Sequence, residues 1–122
     1  MKTLAMLDRL NQELVKAGRE SNFEKVLKMI AAGADIESHN DDGFTSLHRA
    51  AGFGFADVVK DLIDLGANLD AKDCNGRTPL ELAIEFVREY GDDRSEVIEL
   101  LRAETESRKL SIGKPNKKVM SL

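Results

Sequence analysis

Tryptophan is absent from this 122-residue chain, tyrosine occurs once, and aromatic residues make up 5% of it. So few aromatics, beside 33% charged residues, argue against a β-sandwich and suit a helical protein. Cysteine occurs once, at Cys74, so no intrachain disulfide can form and a cytoplasmic or otherwise intracellular location is expected. No apolar run approaches the roughly 18 residues of a membrane span. The opening stretch from Met1 meets a charge at Asp8, too soon for a signal peptide. A basic excess is missing too. The formal net charge is −4, and nothing global points to nucleic acid. Two distant histidines, His39 and His48, and one cysteine do not make a metal site by any usual spacing.

What the chain does contain is an echo of itself. The segment Gly43-Phe44-Thr45-Ser46-Leu47-His48-Arg49-Ala50 returns 33 residues later as Gly76-Arg77-Thr78-Pro79-Leu80-Glu81-Leu82-Ala83. The turn Gly33-Ala34-Asp35-Ile36 returns at the same spacing as Gly66-Ala67-Asn68-Leu69. A fixed period of roughly 20–50 residues marks a repeat architecture and must be read before anything local.

The local pattern within each period is helix, helix, hairpin. Leu4, Leu7, Leu10, Leu14 and Ala17 fall on one helical face that ends at Gly18. Ser21-Asn22-Phe23-Glu24 reads as a capping box opening a second helix, which buries Phe23, Val26, Leu27 and Ile30 and stops at Gly33. Residues 34–44 are polar and turn-rich, as a projecting hairpin or loop would be. Thr45 caps a short helix that breaks at Gly54, and the next helix runs from Phe55 to Leu65. A second hairpin turns at Asn75-Gly76, a pair that readily takes positive φ. Thr78 then caps a helix with Pro79 at its first position. Glu96-Val97-Ile98 aligns with Asp57-Val58-Val59 at a spacing of 39, so six residues are inserted into the third unit. Either the first helix of that unit lengthens to about Tyr90, or a loop projects.

These residues resemble the ankyrin repeat. Thr45-Ser46-Leu47-His48-Arg49-Ala50 is similar to the family's Thr-Pro-Leu-His-x-Ala element, with Ser46 in place of proline. Thr78-Pro79-Leu80-Glu81-Leu82-Ala83 keeps the proline and loses the histidine. Gly66-Ala67-Asn68-Leu69-Asp70 resembles the family's Gly-Ala-Asp-Val-Asn turn. The resemblance implies an all-α ankyrin-repeat solenoid of helix-turn-helix-hairpin units, with units at about 3–40, 41–73 and 74–107 in a domain spanning 1–107. The first and last units would act as capping repeats, whose outer faces meet water. Residues 108–122 carry five basic residues and no acid, which leaves 13 basic against 22 acidic residues in the body. A mobile basic tail is expected there. It is an inert terminus, a segment that docks on an acidic surface, or a weak nucleic-acid or membrane anchor.

Candidate chemistry gives way to structural roles. By resemblance, His48 ties the Thr45 hydroxyl and nearby backbone together. Glu81 with Thr78 makes a capping box. Asp92 and Asp93 open a helix, where negative charge meets the positive end of the dipole. No acid, base and nucleophile converge, so the chain is not expected to be an enzyme, and no cofactor or small-molecule substrate is expected.

Binding fits better. In an ankyrin stack the hairpin tips and the exposed side of the first helices line a concave surface. The positions there that would meet a protein partner are His39, Asp41, Asp42, Phe44, Phe53, Lys72, Asn75, Arg77, Glu85 and Phe86. Phe53 and Phe86 are 33 residues apart and therefore equivalent. Either they form an aromatic binding surface with Phe44, or Phe86 packs under the insertion while Phe53 covers its neighbour. With no second module beyond the tail, binding is expected to be the output: one protein partner is engaged. The alternatives are a dedicated inhibitor or immunity-type protein that neutralises an enzyme or toxin, and a homodimer that buries the aromatic patch in itself.

Overall fold

The computed structural model describes residues 3–91 and 93–111. Among these residues six helices follow one another: α1 (Leu4–Arg19), α2 (Phe23–Ala31), α3 (Ser46–Phe53), α4 (Ala56–Asp64), α5 (Pro79–Tyr90) and α6 (Ser95–Ser111). Among the described residues there is no strand, and a single isolated bridge joins His39 to Thr45. The helices pack as the consecutive pairs α1–α2, α3–α4 and α5–α6. The pairs stack through α1 on α3, α3 on α5 and α4 on α6. The buried residues recur with the sequence period: Leu14 and Leu47, Ala17, Ala50 and Ala83, Val26 and Val59 all lie in one core. No pair could bury its apolar face alone, so the stack makes the core continuous.

The helix ends explain where the chain turns. Thr45 and Thr78 sit at φ/ψ of −82°/173° and −78°/166° and accept the amides of His48 and Glu81. Gly54 and Gly91 close α3 and α5 in the left-handed conformation, at φ 78° and 68°. The six-residue insertion divides in two: α5 is 12 residues long against eight for α3, and the turn after it is two residues longer. Lengthening of the helix to Tyr90 is therefore the alternative that holds.

Two expectations at the first turn need correction. Gly18 does not end α1; it lies buried inside the helix, which runs to Arg19. Nor is Ser21 the cap of α2. Ser21 takes the left-handed conformation at φ 59°, its amide and that of Asn22 bonding back to the carbonyls of Gly18 and Ala17. Asn22 caps α2 instead, accepting the Lys25 amide at 3.2 Å, and Glu24 pairs with Lys28. The α1 terminus consumed Ser21 before it could serve α2, and a short Asx side chain one residue on caps equally well.

Successive loops are also locked together. The Asn68 amide donates to Oε2 of Glu37 at 2.8 Å, and the Cys74 amide donates to the Asp42 carbonyl at 2.9 Å. The second contact requires Gly43. A Cβ there would lie 2.8 Å from the Cys74 nitrogen and 2.9 Å from the Asp73 Cα, and its φ is +79°. At the C-terminal end, Arg108 continues α6 and donates to the Ala67 carbonyl at 3.2 Å. The expectation of a mobile tail falls, for residues 112–122, outside the described residues. So does the reading of Asp92.

Candidate partner-binding surface

His48 is the hub between two units. It is fully buried, and its Nδ1 accepts the Thr45 amide at 3.2 Å. Its Nε2 therefore carries the proton and donates to the Arg77 carbonyl of the next loop at 2.8 Å. Burial holds its pKa below the usual value; a second proton would put a donor against the Thr45 amide. Glu81 occupies the same position one unit later. It accepts the Thr78 amide at 3.1 Å, which with the Thr78 side-chain bond lowers its pKa, and it is exposed. A histidine is needed where another loop follows, and a carboxylate suffices where the described stack ends. Asp93 accepts from both the amide and the hydroxyl of Ser95, which keeps its pKa low at the start of α6.

The two loop tips use one device with two chemistries. In the first loop, Oδ1 of Asn40 accepts the amides of Asp42 and Phe44 at 3.0 and 2.8 Å. In the second, Oδ1 of Asp73 accepts the amides of Asn75 and Arg77, both at 2.9 Å. Asp73 is buried, and its second oxygen takes Nε of Arg77 at 2.9 Å. Burial alone would raise the Asp73 pKa; the Arg77 and Asn75 bonds outweigh it and hold the carboxyl below its usual range. Arg77 also pairs with Glu85 at 3.1 Å. The guanidinium thus serves the fold first, and the Glu85 bond does most to raise its own pKa.

Between α3 and α5 lies a slot of about 80 Å³ lined by Phe44, His48, Arg49, Gly52, Phe53, Leu82 and Phe86. Spacing along the helices builds it: His48, Arg49, Gly52 and Phe53 share a face of α3, and Leu82 and Phe86 share a face of α5. Gly52 makes room, since a Cβ there would sit 3.4 Å from Cε2 of Phe86. The Arg49 guanidinium lies 5.7 Å over the Phe44 ring, and that of Arg94 lies 5.5 Å over Phe86. Arg94 also donates to the Gly52 carbonyl at 2.7 Å, so the inserted turn buttresses the slot from outside. Aromatic contacts continue on both sides, from Phe53 to Phe55 at 5.8 Å and from Phe86 to Tyr90 at 5.5 Å. Phe53 is 45% exposed, Phe55 43% and Tyr90 64%.

The expected contact residues thus fall into groups. Phe44, Phe53 and Phe86 meet at the slot. His39, Asp41 and Lys72 border a separate polar hollow of about 670 Å³ between the two loops, beside the exposed thiol of Cys74. Asp42 and Asn75 are exposed on the tips, and Arg77 with Glu85 forms an ion pair. Sequence reading missed Phe55, Tyr90, Arg49 and Arg94. The insertion pointed to the last turn of α5 and to Arg94, but nothing local placed Arg49 against Phe44. Among the described residues no group of His, Cys, Asp and Glu could hold a metal ion, and no helix is long and apolar enough to cross a membrane.

Comparison with known proteins agrees with this architecture. The family described as ankyrin repeats (three copies) matches residues 14–110. The ARF GTPase-activating protein Git of Drosophila melanogaster is 43% identical over 75 residues, covering 61% of this chain and 10% of that protein. Protein phosphatase 1 regulatory subunit 27 of Homo sapiens is 34% identical over 92 residues, covering 75% of this chain and 55% of that protein. Rabankyrin-5 of Mus musculus is 33% identical over 100 residues, covering 72% of this chain and 8% of that protein. The chain thus spans from under a tenth to about half the length of these relatives. The 33-residue echo, the stacked helix pairs and the histidine hub have a common origin: this chain belongs to the ankyrin-repeat family.

Proposed function

We propose that the chain is a protein-binding module that engages one partner through its loop tips and the exposed faces of α1, α3 and α5. Ankyrin repeats in general are protein–protein interaction modules. The observation that carries the reading here is the slot. Phe44, Phe53 and Phe86 converge around Gly52 with Phe53 nearly half exposed, where a globular fold would gain by covering them. Aromatic rings beside arginines are the composition of interface hot spots. The separate polar hollow bordered by His39, Asp41 and Lys72 offers polar groups between the loop tips.

A second reading is that the partner is an enzyme and the chain its inhibitor or regulator. It is favoured by the similarity to a protein named as a phosphatase regulatory subunit, more than half of which this chain spans. Affinity capture from the native source tests both. Wild type should retain one stoichiometric protein, and Phe53→Ser should lose it while melting close to wild type. Retention of the same protein by Phe53→Ser sinks the slot as the docking point. Several unrelated captured proteins argue against the inhibitor reading. A dimer in light scattering that Phe53→Ser dissolves would replace both with self-association.

A further inference from the structure

We infer that the slot between α3 and α5 receives an aliphatic side chain of the partner, and that a carboxylate beside it on the partner pairs with Arg49. This rests on the protein-binding reading and specifies its chemistry. The slot measures about 80 Å³. A water takes about 30 Å³ of the liquid, and a closed apolar cavity of about 150 Å³ holds benzene, so this volume suits a branched aliphatic group better than a whole indole. The walls are the faces and edges of Phe44, Phe53, Phe86 and Leu82, with few polar atoms. Water there lacks the two to four partners that would hold it, and it leaves readily.

Charge sets what lies next to the aliphatic group. Arg49 is half-buried, stacked on Phe44, with its stem packed on α1 near Gly18. Among the described residues no carboxylate lies within 4.0 Å of Lys16, Arg19 or Arg49. Asp42 faces Arg49 at longer range, and Arg19 repels it; burial, with that repulsion, lowers the Arg49 pKa. A partner carboxylate at this rim would relieve the repulsion in a partly dry setting. On α5, beside Phe86 in sequence, Glu85 is already tied to Arg77. The segment is therefore polarised, its acid toward α1 and its apolar group toward α5.

The test is a titration of the ¹⁵N-labelled full chain with acetyl-Leu-Asp-amide, acetyl-Leu-Asn-amide and acetyl-Ala-Asp-amide, followed at the Gly52 and Phe53 amides. The Leu-Asp compound should shift both amides saturably. The Leu-Asn compound should bind about five-fold more weakly at low salt, the range of one exposed ion pair, and the Ala-Asp compound more weakly by on the order of tens of fold, the range of three buried carbons. Salt near 0.5 M and Arg49→Gln should each erase the difference between the Leu-Asp and Leu-Asn compounds. Equal affinity of those two for wild type overturns the inference, even if Arg49→Gln does not fold. So does the lack of a saturable shift at Gly52 and Phe53. Neither result touches the protein-binding reading, which stands or falls on whether the wild-type chain captures one stoichiometric protein.

Discussion

Replacing Ser46 with proline should stabilise this protein. Ser46 is 3% exposed, and its Oγ has no hydrogen-bond partner. It sits at the first position of α3, where the amide is an orphan in any case. Thr45 before it is extended at ψ 173°, the conformation a following proline demands. The equivalent step one unit later is Thr78-Pro79, whose ring is buried with Thr78 at nearly the same φ and ψ. Fixing φ in the unfolded chain contributes about 0.4–1 kcal/mol. Removing a buried, unpaired hydroxyl contributes about 1 kcal/mol, the low end of the desolvation cost. The expected gain is about 1–2 kcal/mol, or roughly 4–8 °C in Tm for a domain of this size. Urea melts of wild type, Ser46→Ala and Ser46→Pro separate the two contributions, since alanine removes the hydroxyl alone. A Ser46→Pro variant less stable than Ser46→Ala would refute the reasoning, because the pocket would then reject the ring that its neighbour accepts.

Other perturbations test the links between units. Gly43→Ala should cost about 3 kcal/mol and Gly76→Ala about 1–2 kcal/mol. Both take positive φ, but only Gly43 faces the backbone of the next loop within 3 Å; equal losses in denaturant melts would mean that the loop-to-loop contact yields freely. Arg77→Ala should cost about 2–4 kcal/mol by leaving the buried Asp73 carboxylate without its cation. The double change Asp73→Asn with Arg77→Phe copies the Asn40 and Phe44 pair of the first loop and should recover most of that loss, as thermal melts would report. His48 has a lowered pKa in the fold, so the unfolded chain binds its proton first as pH falls. Stability should be flat in this respect above about pH 6.5 and fall below it, by at most about 1.4 kcal/mol per pH unit. A His48→Gln variant should lack that slope in urea melts at stepped pH. The depressed Asp73 pKa adds a second loss below about pH 4.

Much of this architecture was legible because its signals are local. The threonine caps and the glycines that close helices are set by residues within four positions of one another, backbone sterics leave few ways to satisfy them, and the 33-residue period is that local pattern repeated. The contacts of His48 with Thr45 and of Glu81 with Thr78 were legible for the same reason, whereas the His48 bond to the Arg77 carbonyl was not. The misreading at Ser21 arose where two local signals competed for one residue, and the end of α1 won.

What tertiary structure alone decided are the pairings between units. In the loop tips, Asn40 with Phe44 and Asp73 with Arg77 occupy equivalent places. A neutral amide needs no cation, so Phe44 is released to line the slot, while a buried carboxylate claims Arg77. Arg94 reaches back 42 residues to the Gly52 carbonyl, and no pattern within either segment announces that bond. The sequence by itself determined that helix pairs stack and where each turns, since backbone hydrogen bonds and apolar periodicity act over a few residues. Which aromatics stay exposed was settled by the stack, because exposure depends on what the neighbouring unit places opposite.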